Sequence, residues 1–291
     1  QGNFNEAHFP EQRRFISSNT DDYIKLLESS QKNCSLYNSY SGIGIHSIRA
    51  VKDYMIKEIN LYNNHKLPFH LHISEQKKEI ADCLSNYNYR PVEWLYNNIE
   101  IKGNHHLVHA THLNSNGINL ITKKQSNVVL CPITEGNLAD GFFNFNDFQK
   151  KMGKWCIGSD SHIGLSPFEE IRLLDYGVRL QTNSRKTFKN NSIGNAGLIV
   201  MNSTFFNGMK AMGIKRKGFF EKGCYLNFLE INKDHPNINI WDKNNLLNSI
   251  LYGSDIRVIK NTYTKGSKRN NDNKGYLKKY SKSIKRIIAS V

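Results

Sequence analysis

Apolar residues recur along the chain in short runs, and each run ends in a polar cluster before a helical pattern begins. These runs lie at residues 44–46, 67–76, 105–113, 127–135 and 154–162. Apolar residues at helical spacing occupy residues 21–31, 75–84, 91–98, 118–124 and 166–180. Strands that alternate with helices predict an α/β fold with a parallel sheet.

The pattern changes after about residue 192. Residues 196–213 predict one more helix, and residues 218–232 and 254–266 predict short strands of a separate β unit. Residues 274–291 predict an amphipathic helix, docked on the protein by its apolar face rather than laid on a membrane surface. We therefore expect two units, residues 1–213 and residues 214–291.

Polar side chains cluster where the five predicted strands of the first unit end. In parallel α/β folds the ligand binds at the carboxyl ends of the strands, so residues from separate strands meet there. The pattern therefore predicts one shared site, and the residues that matter most for it are His46, Arg49, His72, Glu75, His109 and Asp160.

The net charge of +15 raises the question of a nucleic-acid partner. Residues 257–291 hold eleven Lys or Arg and one Asp, which leaves about +5 for the rest of the chain. A solvated basic surface explains this distribution better than nucleic-acid binding does. We expect no membrane partner, and the five scattered cysteines, with no C-x-x-C pair, favour reduced thiols in a cytoplasmic protein.

The segment HLHISEQ carries the strongest metal signal. His70 and His72 alternate onto one face of a strand, and Glu75 follows just past its end. A neutral imidazole at a strand end is a good zinc ligand, and a nearby carboxylate off the metal can move protons. The alternative is a pair of hydrogen-bonded core histidines with a glutamate that caps the next helix.

Two further strand ends offer chemistry. His109 in HLVHATH is either a metal ligand or a donor to a tetrahedral intermediate. Asp160 in GSDSH can bind a metal and accept a proton from its water, because a metal lowers the pKa of that water. As an isolated aspartate, Asp160 would be a helix cap.

Taken together, several segments resemble the amidohydrolase superfamily and, within it, the formimidoylglutamate deiminase family. The H-x-H-x-x-E and S-D-S-H elements belong to the wider deaminase branch, and the RPVEWLY, TEGNLADG and EEIRLLDYG elements are narrower. The resemblance runs from about residue 11 to residue 213 and continues more faintly to the C-terminus. It implies about strands 4–8 of a (β/α)8 TIM barrel, part of a small β-sandwich, and a C-terminal helix.

The resemblance also implies a role for each strand-end residue. His72 would bind the metal, and Asp160 would bind it and activate water. Glu75 would carry a proton to the departing ammonia, and His109 would polarise the imino carbon. Two other residues, His46 and Arg49, would hold the substrate's carboxylate, for which a bidentate guanidinium is well suited.

The implied reaction is hydrolysis of a small molecule, N-formimidoyl-L-glutamate, to N-formyl-L-glutamate and ammonia, in the degradation of histidine. The resemblance implies one Zn²⁺ per subunit and a homodimer of the full-length enzyme. The family begins its site with an H-x-H pair on the first barrel strand, and this sequence has no such pair before residue 70. We therefore expect the chain to be the C-terminal part of a deiminase, with two zinc ligands, weak zinc binding and no closed barrel.

Two alternatives remain. The first is a guanine-deaminase-like or chlorohydrolase-like enzyme that acts on a ring C–N bond, where Arg49 would find no carboxylate. The second is a non-catalytic fragment whose basic tail binds nucleic acid, with steeply salt-dependent affinity.

Overall fold

Five parallel strands form one sheet in the order β1-β2-β3-β4-β5. The computed structural model describes residues 3–4, 6–189, 194–239, 242–269 and 274–289. The strands are Ile43–Ser47 (β1), Phe69–Ile73 (β2), His105–His109 (β3), Asn127–Leu130 (β4) and Lys154–Ile157 (β5). The sheet therefore follows the sequence order of its strands, as the α/β pattern predicts.

Helices connect the strands and continue beyond them. They are Thr20–Leu36 (α1), Asp53–Asn63 (α2), Lys77–Tyr87 (α3), Pro91–Asn98 (α4), Ser115–Lys124 (α5), Pro132–Asn137 (α6), Phe145–Lys150 (α7), Pro167–Thr182 (α8) and Ala196–Ala211 (α9). A short 3₁₀ helix, Pro10–Phe15, precedes α1. Helix α8 begins as a helix-start pattern should, because Ser166 accepts a hydrogen bond from the Glu169 amide and Pro167 occupies the first turn.

A second, three-stranded sheet lies in the C-terminal part of the chain. Its antiparallel strands are Phe228–Ile231 (β6), Ile259–Thr264 (β7) and Ser267–Lys268 (β8). The helices Pro236–Asn239 (α10) and Leu246–Gly253 (α11), a 3₁₀ turn at Ile256–Val258, and the helix Lys274–Ile288 (α12) complete the chain. The β unit predicted after residue 214 is therefore present, while the division at residues 213 and 214 stays a prediction.

The parallel sheet is buried, which explains the apolar runs in the sequence. Helices cover both faces of parallel sheets, so their strands have no polar side. All four residues of β4 are buried, and Leu71, Leu107 and Leu130 are at most 1% exposed. The register pairs Ile73 of β2 with His109 of β3, so the carboxyl ends of the strands lie at one edge.

Helix α8 ties the C-terminal part of the chain to the parallel sheet. The Arg172 guanidinium donates to the Leu251 carbonyl at 2.8 Å and to the Ser254 carbonyl at 2.5 Å. Both carbonyls belong to the end of α11, where a helix leaves carbonyl groups without an internal partner. Arg172 therefore caps α11 and fixes it against α8.

The prediction that the C-terminal helix docks by its apolar face is wrong for the residues that the structure describes. Leu277, Tyr280, Ile287 and Ile288 of α12 are each about 60–70% exposed, and of residues 275–289 all except the half-buried Ile284 are exposed. The amphipathic pattern correctly predicts a helix, but it does not predict a surface on which the apolar face of that helix packs. Among the described residues, no helix has the length and apolar character that a bilayer crossing requires.

Gly153, in the turn before β5, is expected to tolerate no side chain. A Cβ there would lie 2.3–2.5 Å from three ring atoms of Phe148, which is fully buried. Gly153→Ala should therefore lower the free energy of unfolding by about 1–3 kcal/mol, the usual cost of overpacking a core. Urea denaturation measures this change. The control is Gly44→Ala, where a Cβ meets no atom within 4 Å, and an equal loss in both variants would contradict the packing argument.

Candidate active site at the carboxyl edge of the sheet

The carboxyl ends of β1, β2, β3 and the loop after β5 bring together all six residues predicted for the site. His46 lies in β1, His72 in β2 and His109 at the end of β3. The His72 ring lies 5.1 Å from the His46 ring and 5.4 Å from the His109 ring, centroid to centroid. Asp160 approaches from the loop after β5, and its carboxylate lies 3.5 Å from His72 Nε2.

Three of these side chains form a possible metal-binding group. One ligand atom from each of His72, His109 and Asp160 lies within 4.8 Å of the others. His109 is fully buried, whereas the side chains of His72 and Asp160 are 30% and 26% exposed. The sequence predicted two ligands, His72 and Asp160, and the geometry places a third possible donor beside them.

In both imidazoles the ring nitrogen Nδ1 has a hydrogen-bond partner, which fixes the orientation of the ring. His72 Nδ1 donates to the His46 carbonyl at 2.7 Å, and His109 Nδ1 lies 3.2 Å from a carboxylate oxygen of Glu135. The His72 ring therefore carries its proton on Nδ1 and turns the lone pair of Nε2 toward Asp160. His109 Nδ1 donates to Glu135, and His109 Nε2 lies 3.6 Å from the Glu75 carboxylate. Within the described part of the chain, the buried His109 Nε2 has no hydrogen-bond partner.

Glu75 lies beside this group and links it to Arg49. The Glu75 carboxylate is 2.6 Å from Arg49 Nη2 and 3.6 Å from His109 Nε2. The Arg49 guanidinium also lies 3.9 Å from the Glu79 carboxylate. The residue predicted to hold a substrate carboxylate is thus paired with the residue predicted to carry a proton, an arrangement that the sequence did not predict.

The backbone at this edge adopts conformations that side chains rarely allow. Ser74, His109 and Asp160 have φ angles of 52°, 67° and 41°. Left-handed backbone at non-glycine residues persists only where the surroundings hold it, and it is common at functional sites. Strain at three strand ends therefore accompanies the convergence of the side chains.

The pKa values of His46 and His109 are shifted in opposite directions. Burial, with a smaller contribution from the neighbouring His72 and Arg49, lowers the pKa of His46 to about 4. Burial also disfavours the charged form of His109, but the hydrogen bond to Glu135 and the charges of Glu135, Glu75 and Asp160 outweigh it and raise the pKa. His109 is thus a histidine surrounded by carboxylates, and His46 is a neutral imidazole.

Three buried glutamates, Glu79, Glu135 and Glu170, hold the backbone around the site. Glu79 accepts from the amides of Ser74 and Glu75. Glu135 accepts from the Cys131 amide, and Glu170 accepts from the Ile133 amide.

The sequence patterns assign no role to these glutamates. For Glu79 and Glu135 the available signal is a glutamate in the first turns of a helix that follows a strand, where a side chain can reach back to free amides. The contact of Glu170 with Ile133 joins two helices and has no local signal.

A model of the Amidohydrolase family matches residues 18–268. A formimidoylglutamate deiminase from Pseudomonas aeruginosa is 32% identical over 255 residues, which are 88% of this chain and 56% of that protein. The chain spans about half the length of the curated relatives it matches.

Solved structures share the fold. The crystal structure of an amidohydrolase from Brucella melitensis matches 99% of this chain and 64% of its own, with a TM-score of 0.91 and 27% identity. An adenosine deaminase from Xanthomonas campestris, solved with bound zinc, matches 86% of this chain and 57% of its own, with a TM-score of 0.76 and 20% identity.

The buried carboxyl of Glu170 should make stability fall as pH rises. Burial, together with the charges of Glu135 and Asp160, raises its pKa from 4.5 to about 7. Between these values the folded protein binds more protons than the unfolded chain, so the free energy of unfolding declines as pH rises through this range. Glu170→Gln should flatten that slope, because the amide oxygen can still accept from Ile133 and carries no charge.

Urea denaturation at several pH values between 5 and 8 measures the slope. Glu169→Gln is the matched control, since it removes a charge from the same helical turn at an exposed position. A slope that stays unchanged in Glu170→Gln, or that flattens equally in Glu169→Gln, would contradict the assignment.

Proposed function

The chain belongs to the amidohydrolase family, and we propose that the carboxyl edge of its parallel sheet serves a zinc-dependent deiminase that acts on N-formimidoyl-L-glutamate. The observation that carries this proposal is the convergence of His72, His109 and Asp160, with Glu75 beside them. The identity with the Pseudomonas aeruginosa deiminase supports the choice of substrate. The products would be N-formyl-L-glutamate and ammonia.

The proposed architecture is part of a (β/α)8 barrel. Five parallel strands in sequence order, with helical connections between them, correspond to about strands 4–8 of such a barrel. We assign residues 1–213 to the barrel and residues 214–291 to part of a small β-sandwich with a terminal helix. The antiparallel sheet of β6, β7 and β8 supports the second assignment.

The side chains present fit a zinc ion. His72 Nε2 and the Asp160 carboxylate would hold it, since a neutral imidazole and a carboxylate are zinc ligands and both face the same space. A bound zinc ion supplies a Lewis acid and lowers the pKa of water near it. His109 Nε2 is close enough to be a further donor, but we assign it to the substrate, because its buried and partnerless nitrogen can polarise the reacting group.

The protein groups can account for the protons of the reaction. The oxygen of water adds to the carbon of the C=N bond, Asp160 accepts one proton of this water, and the proton passes through Glu75 to the imino nitrogen. The second proton of the former water follows the same route to this nitrogen as the C=O bond forms. The C–N bond then breaks, the nitrogen leaves as NH₃, and both carboxylates return to their starting state. Glu75 can do this because its carboxylate lies at the edge of the donor group and off the proposed metal ligands.

His46 and Arg49 would bind the carboxylate of the substrate. In N-formimidoyl-L-glutamate the α-carboxylate lies only a few bonds from the amidine carbon, so a guanidinium beside the proton carrier suits this molecule. Arg49 lies 2.6 Å from Glu75, which places the two functions side by side.

The direct test is ammonia release from N-formimidoyl-L-glutamate by the protein made from its complete gene and loaded with zinc. We expect Glu75→Gln to lower kcat by about 10²–10⁴, the usual value of a positioned proton carrier, with little change in KM. Glu100→Gln, at a side chain that is 66% exposed, is the control and should retain full activity. Full activity in Glu75→Gln would remove Glu75 from the mechanism, and no ammonia release by the wild type would overturn the function.

The pairing of Arg49 with Glu75 favours a second candidate, a deaminase of aminated rings. In that case Arg49 orients Glu75 and needs no substrate carboxylate. Two substrates show whether Arg49 binds a substrate carboxylate. They are N-formimidoyl-L-glutamate and N-propylformamidine, which has the same amidine but no carboxylate.

If Arg49 binds the carboxylate, Arg49→Ala should lower kcat/KM for the first substrate about 10- to 100-fold more than for the second, as expected for a lost charged hydrogen bond. Equal losses with both substrates would remove Arg49 from substrate binding and leave it the orienting role that the second candidate requires.

A further inference from the structure

Glu79 is a buried carboxylate beside the site, and neither the sequence patterns nor the proposed chemistry gives it a role. It occupies the third position of α3, and its side chain is fully buried. Oε1 accepts from the Ser74 amide and Oε2 accepts from the Glu75 amide, both at 2.9 Å. Both oxygens of one carboxylate are thus bonded to consecutive amides of the turn that carries Glu75.

This turn needs to be held. Ser74 has a φ of 52°, a left-handed conformation that costs free energy for any residue other than glycine. The Ser74 amide is bound by Glu79, and the Ser74 carbonyl accepts from the His112 amide at 2.9 Å. The strained residue is therefore clamped on both sides, and the clamp on the amide side is the Glu79 carboxylate.

The direction of the turn sets the position of Glu75. The Glu75 carboxylate lies between Arg49, at 2.6 Å, and the imidazole of His109, at 3.6 Å. Relaxation of Ser74 to a common backbone conformation would swing the Cα–Cβ bond of Glu75 away from both groups. Because proton transfer requires hydrogen-bond distances, such a movement would prevent Glu75 from transferring a proton to the substrate.

We propose that Glu79 is a positioning residue that holds the strained Ser74–Glu75 turn and so aims Glu75 at the reacting group. The proposal rests on the proposed function in one respect, namely that Glu75 carries the proton. It predicts that the loss of one acceptor of Glu79 affects turnover through Glu75 more than it affects substrate binding through Arg49, whose guanidinium lies 3.9 Å from Glu79.

Glu79→Gln is the sharpest variant because it is nearly isosteric. A glutamine keeps one oxygen acceptor but turns an NH₂ group toward an amide N–H, so one of the two bonds is lost. The matched control is Glu93→Gln. Glu93 also occupies the third position of its helix, α4, and accepts from the Arg90 amide, but it lies outside the proposed site.

Two measurements on the full chain test the proposal. Hydrogen exchange, followed by NMR or mass spectrometry, should show about tenfold or more faster exchange of at least one of the Ser74 and Glu75 amides in Glu79→Gln, as expected when a charge-assisted hydrogen bond is lost. Exchange of these amides should be unchanged in Glu93→Gln. With N-formimidoyl-L-glutamate, kcat should fall about tenfold or more in Glu79→Gln, and this fall should exceed the change in KM.

A second variant covers the case in which Glu79→Gln does not fold. Ser74→Gly removes the strain of the left-handed residue, because glycine adopts positive φ without penalty. Ser74→Gly combined with Glu79→Gln should therefore recover the fold but not kcat, since the turn is then unstrained and held by one hydrogen bond fewer.

Unchanged exchange at Ser74 and Glu75 in Glu79→Gln, or faster exchange with unchanged kcat, would overturn the positioning role. Recovery of kcat in the double variant would overturn it as well, since strain alone would then explain the loss. If the wild type releases no ammonia from N-formimidoyl-L-glutamate, the proposed function fails, and the exchange comparison still decides whether Glu79 holds the turn.

Discussion

Buried carboxylates that accept backbone hydrogen bonds hold the carboxyl edge of the sheet in shape. A parallel strand that ends at this edge leaves amide groups without partners, and an unsatisfied buried amide costs about 1–3 kcal/mol. Glu79 and Glu135 each reach back from the helix that follows the strand and bind such amides. Glu170 reaches across from α8 and binds the Ile133 amide at the start of α6. The left-handed residues Ser74 and His109 are tolerable only because this framework surrounds them.

The same framework makes the edge strongly electronegative. Glu75, Glu135 and Asp160 surround His109, and Arg49 provides positive charge at the Glu75 side. The pKa of His109 is raised because the hydrogen bond to Glu135 and the charges of Glu135, Glu75 and Asp160 outweigh its burial. Burial is the main cause of the raised pKa of Glu170, and the charges of Glu135 and Asp160 add to it. A divalent cation between His72 and Asp160 would relieve the same charge, which is the electrostatic reason for the proposed zinc.

The sequence predicted the elements whose cause is local and missed those whose cause is tertiary. Alternating apolar runs and helical periods predicted the parallel α/β sheet, because the hydrophobic pattern of each segment depends on residues within that segment alone. The strand-end position of His72, His109 and Asp160 followed from the resemblance and from the topology of parallel sheets. The pairing of Arg49 with Glu75 could not be predicted, because it joins residues of two strands at a distance that only the assembled edge defines. The prediction that α12 docks by its apolar face was wrong for a similar reason. An apolar stripe predicts a helix but does not determine which surface covers it.

The proposed function depends above all on a zinc site formed by His72 and Asp160 at this edge. Its most direct test is the zinc content of the protein made from its complete gene, purified after growth with zinc and measured by elemental mass spectrometry. Wild type and His8→Ala, a change at an exposed histidine outside the site, should each carry about one zinc per chain, and His72→Ala should lose most of it. Equal zinc content in all three proteins would contradict the claim.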